Sequence, residues 1–119
     1  MNISPNGIIE VYRGDTFILP LSLNLGNPIQ KDIFEMQEGD RAVLRIFRAN
    51  DFWENYLVSK TATLSDVKEN EFVQYSFASS DTLFLESGIY FYEVKLFYTR
   101  DNVENVTTLF PRKRFIILN

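Results

Sequence analysis

Cysteine and histidine are both missing from this chain, and the two absences together exclude a good deal of chemistry. No disulfide can staple the fold, no thiolate can act as nucleophile, no imidazole can serve as general base, and the usual zinc and iron ligands are gone. Glycine is sparse, and the five glycines at 7, 14, 26, 39 and 88 are isolated, so no glycine-rich loop exists to cradle a phosphate. Long hydrophobic runs are lacking too. No stretch reaches the length needed to cross a bilayer, and Met1-Asn2-Ile3-Ser4-Pro5-Asn6-Gly7 lacks the basic segment and apolar run of a secretory signal. No membrane contact is expected, and synthesis and folding in the cytoplasm are.

An excess of positive charge is also absent. The formal net charge is −4, which argues against nucleic acid as a partner, because affinity for it comes mainly from Lys and Arg neutralising phosphates. The one basic cluster, Arg112-Lys113-Arg114, is read as the solvated outer face of a last strand, where charge deters edge pairing.

What the chain does have is aromatic side chains. Eleven Phe, six Tyr and one Trp beside only four Pro favour pleated, half-buried surfaces over helices. With 45% hydrophobic and 24% charged residues, the 119 positions fit one globular domain spanning residues 1–119, large enough to bury a single core.

Apolar residues alternate over short runs separated by Gly-Asp, Asn or Pro, the period of strands lying half against a core. Candidate strands are Ile8 to Tyr12; a run with Phe17, Leu19, Leu21, Leu23 and Leu25 on one face; Ala42 to Arg48; Leu57 to Leu64; and Phe72 to Phe77, whose buried face is left open. Ile89 to Tyr98 is the longest, with Tyr90, Tyr92, Val94, Leu96 and Tyr98 on one face and the charged pair Glu93 and Lys95 on a partly wet one. Val106 to Leu118 closes the fold. Pro20 puts its strand at an edge or a bulge, and Pro111 predicts the same for the last strand. Ser79-Ser80-Asp81-Thr82, followed by apolar Leu83 and Leu85 and a stop at Gly88, predicts one short helical turn. About seven strands at spacings near ten residues fit an antiparallel β-sandwich.

Several short motifs have simple readings. Arg13-Gly14-Asp15 matches a cell-adhesion string, but a Gly-Asp step between two strands is turn chemistry. Ser65-Asp66-Val67-Lys68 has the Ser-x-x-Lys spacing without the buried helix that this chemistry needs. Asp101, Asn102, Glu104 and Asn105 lack the spacing of a calcium loop. Carboxylate pairs are the one catalytic device not excluded, yet nothing among the sixteen acids selects a pair. No enzyme activity, metal or cofactor is expected.

Phe52, Trp53 and Tyr56 stand apart because they fall in a connection rather than in an alternating run. Two readings are open: an exposed aromatic surface for a partner protein or a glycan, or a cover over the open end of the core.

Gly88-Ile89-Tyr90-Phe91-Tyr92-Glu93-Val94 resembles the Gly-x-Tyr-x-Cys corner of immunoglobulin domains, with Tyr92 at the cysteine position. Tyr90 would then be the corner tyrosine, its hydroxyl reaching back to backbone near the preceding turn. Three further segments accompany it: Arg13-Gly14-Asp15-Thr16-Phe17 before Leu19-Pro20-Leu21, Gly39-Asp40 before Val43-Leu44-Arg45-Ile46, and Ser80-Asp81-Thr82 leading to Gly88. Together, over nearly the whole chain, they resemble the immunoglobulin-like N-terminal domain of phage baseplate upper proteins and small stand-alone phage proteins.

That resemblance implies an immunoglobulin-like sandwich that docks one tail or baseplate component onto another without catalysis or cofactor. Its partners would be other phage structural proteins, with a second copy of itself as a further option. It would be made in the bacterial host cytoplasm and carried in the virion. Longer family members continue into further segments, whereas this sequence stops at Asn119, so the effector part is expected to be a separate protein or absent. The connection around Trp53 has no counterpart in the family pattern. It leaves a carbohydrate-binding module using Phe52, Trp53 and Tyr56 as the alternative.

Overall fold

A computed structural model describes all 119 residues. Its strands are β1 (Asn2–Ile3), β2 (Ile9–Tyr12), β3 (Phe17–Ser22), β4 (Arg41–Phe47), β5 (Val58–Ala62), β6 (Val67–Lys68), β7 (Phe72–Phe77), β8 (Gly88–Arg100) and β9 (Val103–Leu118). One helical turn, α1 (Ser79–Leu83), lies between β7 and β8, and a 3-10 turn spans Leu64–Asp66. Two sheets form, one in the order β1-β2-β9-β8-β4-β5 and the other β3-β7-β6. Both contribute to one apolar cluster.

The predicted alternation is found in the strands that face this cluster. In β3, Leu19 and Leu21 point inward and Pro20 outward, and β3 is an edge strand, so the missing proline N–H breaks no ladder. In β7 the buried face is Val73, Tyr75 and Phe77. In β8 it is Tyr90, Tyr92, Val94 and Leu96. β8 and β9 are joined by a two-residue turn with positive φ at Asp101 and Asn102, +51° and +62°. That is the mirror-image turn whose twist matches paired strands. The β8–β9 register slips between Tyr92 and Lys95, opposite Leu109 to Lys113, so Pro111 does sit in a bulged stretch.

Several expectations are corrected. There are nine strands rather than about seven; β1 and β6 have two residues each, too short to show a period. The sheets are not wholly antiparallel, since β2 runs parallel to β9, with Ile9 opposite Phe115 and Tyr12 opposite Leu118. The longest strand is β9, not β8. Gly88 does not stop α1: the helix ends at Leu83, and Gly88, at φ +152°, opens β8. Leu25 lies past the end of β3 and is exposed, not on its inner face.

α1 begins after Ala78, whose N–H donates to the Asp81 carboxylate at 2.7 Å, a half capping box. Its Thr82 hydroxyl accepts from the Gly14 N–H at 2.9 Å, so Arg13-Gly14-Asp15 is the turn on which the helix rests. A side chain on Gly14 would press against Leu83, and its φ of +82° suits glycine alone.

Buried tyrosines satisfy their hydroxyls across the fold. Tyr75 of β7 donates to the Ala42 carbonyl of β4 at 2.9 Å, a direct link between the two sheets, and burial raises its pKa. Tyr92 donates to the Gly7 carbonyl at 2.5 Å, and burial pushes its pKa up to about 12. Tyr90 donates to the Glu86 carbonyl at 2.8 Å, four residues upstream. No buried side-chain polar atom is left unpaired. Tyr90→Phe removes one such bond while keeping the ring, and about 1 kcal/mol of stability should be lost. Urea denaturation that leaves the midpoint unmoved would show that the Tyr90–Glu86 bond is replaced by water at no cost.

Candidate functional site

The outer face of the six-stranded sheet is covered where β4 and β8 pair. Register places Arg41 opposite Phe97, Val43 opposite Lys95 and Arg45 opposite Glu93, and all six side chains lie on the face away from the core. Residues 48–57, which connect β4 to β5, fold back over this face instead of extending into solvent. Trp53 is half-buried on it. Its ring lies 4.7 Å from the Arg45 guanidinium, 4.8 Å from the Lys95 ammonium and 6.4 Å from the Phe97 ring. Tyr56 stacks on the same guanidinium at 4.2 Å. Arg45 is also tied down, donating to the Trp53 carbonyl at 3.3 Å.

A second arginine fixes the start of the connection. Arg112 of β9 reaches over the Phe47 and Phe91 rings, at 4.8 and 4.6 Å, and donates to the carbonyls of Arg48, Ala49 and Asp51. Its fork of N–H groups thereby replaces the ladder partners that the backbone loses on leaving β4. The reading of Arg112-Lys113-Arg114 as solvated charge deterring edge pairing is corrected for two of the three. Arg112 is a loop clip, and Lys113 donates to the Asn6 carbonyl at 2.9 Å.

The structure thus brings Trp53 and Tyr56 together through Arg45, and leaves Phe52 projecting, 68% exposed, with Tyr56 45% exposed. Trp53 does not cover an open end of the core; it covers the outside of a sheet, and Val43 beneath is buried. Phe97, Lys95 and Arg45 already stood on the non-core face by alternation, the one signal that could have marked this platform. Nothing in the basic run distinguishes Arg112 from its neighbours. Gly88, Tyr90 and Tyr92, singled out as a corner, lie at the start of β8, with Gly88 exposed and the two tyrosines buried on its core side.

A second feature is a cavity of about 410 Å³ lined mainly by Leu23, Ile33, Phe34, Met36, Leu64 and Val67. Beside it, Arg100 grips Asp40 with two hydrogen bonds, 3.0 and 2.7 Å, and donates to the Glu35 carbonyl at 3.2 Å. This pair stabilises the residues leading into β4. Hydrogen bonding from Arg100 holds the Asp40 carboxyl below its usual range, against the opposing effect of burial and with help from the Gln37 N–H. A carboxyl lowered in the fold adds stability above its unfolded pKa, near 3.9, and loses it as pH falls through the folded value. Asp40→Asn should be less stable at pH 7, yet lose less on further acidification from about pH 4 to 2. Parallel acid titrations in which the two proteins lose the same stability over that range would refute the assignment.

No helix of the structure is long and apolar enough to cross a membrane. No protein-family model, no curated protein and no solved structure matches this chain.

Proposed function

We propose that this chain is an immunoglobulin-like, non-enzymatic docking module of a bacteriophage or prophage tail or baseplate, acting through contacts with other phage structural proteins. Lettered in chain order from β2 as A′, the strands read A′-G-F-C-C′ in the larger sheet and B-E-D in the smaller, and A′ runs parallel to G. That order supports an immunoglobulin-like sandwich of the variable type. The Tyr90 bond to Glu86 supports the tyrosine-corner reading of Gly88, Tyr90 and Tyr92.

The observation that carries docking is the clipped connection at 48–57. Exposed aromatic anchors bind well when they are already ordered, because little conformational entropy is then lost on association. Phe52 and Tyr56 stand exposed on a segment held by Arg112 and Arg45. The family resemblance of the spaced turns and strands supplies the setting: synthesis in the host cytoplasm and residence in the virion.

The test is mass spectrometry of particles purified from a host carrying this gene, with the Phe52→Ala, Tyr56→Ala double variant alongside. Peptides at a fixed small ratio to a capsid protein, depleted in the variant, are expected. Intact particles without the chain would overturn the reading.

The same aromatic cluster supports a second reading, a carbohydrate-binding module that uses Phe52, Trp53 and Tyr56 to stack on sugars. Trp53 is the only tryptophan, so a glycan panel that leaves its fluorescence unchanged would eliminate this alternative.

A further inference from the structure

The two sheets end in four edge strands, and all four are blunted. β1 and β6 have two residues each. β3 carries Pro20. β5 turns Lys60 inward, over the Phe77 ring and against Asp81. Each is a recognised way of discouraging strand pairing between molecules.

An open stretch of β9 is unguarded. β2 covers β9 only from Phe115 to Leu118, so the side of β9 facing away from β8 is open over its first part. From Val103 to Thr108 that stretch is Val-Glu-Asn-Val-Thr-Thr, with no proline and no lysine or arginine. Guarding resumes only at the bulge and Pro111.

Turn geometry fixes which groups point outward. In a two-residue mirror-image hairpin the flanking residues, here Arg100 and Val103, exchange both hydrogen bonds, and bonded pairs then alternate along the strands. Val103, Asn105 and Thr107 therefore face β8, while Glu104, Val106 and Thr108 aim their N–H and C=O groups away from the sheet.

We infer that this edge pairs with the same edge of a second copy, antiparallel, about a two-fold axis through Val106. In that register Val106 meets Val106, and Glu104 meets Thr108 in both directions. All the outward N–H and C=O groups of the three residues are then used in both copies, and the six-stranded sheets join into one. Glu104 is the stretch's single charge and falls opposite a threonine, so no like charges oppose each other. Val106 is 60% exposed beside Phe97 on the outer face, and the pairing would cover it. The interface is isologous and closes at two copies. This inference stands apart from the aromatic docking surface, which lies on β4, β8 and the 48–57 connection, so either can fail alone.

Sedimentation velocity of the full chain from low micromolar to near-millimolar concentration tests it, with hydrogen exchange read at single amides. The wild type should shift from monomer to dimer, and the Glu104, Val106 and Thr108 amides should slow as it does. Val106→Lys, at an exposed position, should fold normally by circular dichroism and raise the dimer dissociation constant roughly tenfold or more, by setting two lysines face to face. Mixing Val106→Lys with Val106→Glu should restore a dimer. A wild type that stays monomeric throughout would overturn the inference. So would a dimer that Val106→Lys leaves unchanged, or one in which those three amides exchange as in the monomer.

Discussion

Phe115→Ala is expected to destabilise this protein by about 3–5 kcal/mol, the range for truncating a fully buried aromatic ring. Phe115 has no exposed surface, and its ring touches aromatic side chains from both sheets. It stacks near Phe77 of the smaller sheet at 6.2 Å and receives the edge of Tyr92 at 6.3 Å. Phe77 in turn stacks on Phe17 of β3 at 4.6 Å. In register, Phe115 lies between Ile9 of β2 and Tyr90 of β8. Removing it opens a cavity where three strands and both sheets converge, and neighbours fixed by ladder bonds cannot close over it.

Domains of this size are stable by roughly 5–15 kcal/mol in total, so the variant should sit close to its unfolding midpoint in mild denaturant. Phe115→Leu, which keeps most of the volume, should recover more than half of the loss. Equilibrium urea unfolding of the three proteins decides the matter. A loss below about 1.5 kcal/mol for the alanine variant would mean that the aromatic chain is not what joins the sheets.

Arg112→Ala should cost about 2–4 kcal/mol, unusually much for a half-exposed residue. The side chain supplies the hydrogen bonds of three backbone carbonyls and lies over two rings. A charged donor is worth about 1.5–3 kcal/mol where its loss strands the acceptor, and water reaching the opened loop offsets part of the sum. Arg112→Lys keeps the charge but not the planar fork, so it should rescue less than half. The 48–57 connection should loosen as well, and the emission of Trp53, released from Arg45 and Lys95, should shift to the red. An alanine variant with wild-type stability and unshifted emission would mean that the loop is held by Arg45 alone.

Much of the fold can be read from alternation. The inner faces of β3 and β8 follow from a period of two, whereas in β7 both faces carry apolar residues and alternation alone does not choose between them. Pro20 marks an edge or a bulge because it has no N–H to donate. Other features leave no such trace. The partner of β2 is a strand more than a hundred residues away, and its parallel direction has no local signature, since parallel and antiparallel neighbours impose the same alternation. At the candidate site, Phe52, Trp53 and Tyr56 stand out because aromatics in a connection break the pattern. Their arrangement does not, because it depends on two arginines. Arg45 has the look of an ordinary solvent-facing strand residue, and Arg112 that of one member of a basic run. Which arginine binds carbonyls is decided by where a loop folds back, and that is a property of the assembled sheet.

The parallel pairing of β2 with β9 also bears on how the chain is made. Ile9 and Val11 are fully buried apolar residues, and their partners are residues 115 to 118. While the protein is being synthesised they leave the ribosome long before those partners and stay uncovered until Leu118 has cleared the exit tunnel. The remaining strands can collapse earlier, but this half of the larger sheet completes only afterwards, by closing nearly the whole length of the chain. Topologies of this kind assemble in milliseconds to seconds rather than microseconds. A nascent chain stalled before Phe115 should therefore be recognised by chaperones as unfinished, whereas one released past Leu118 should not.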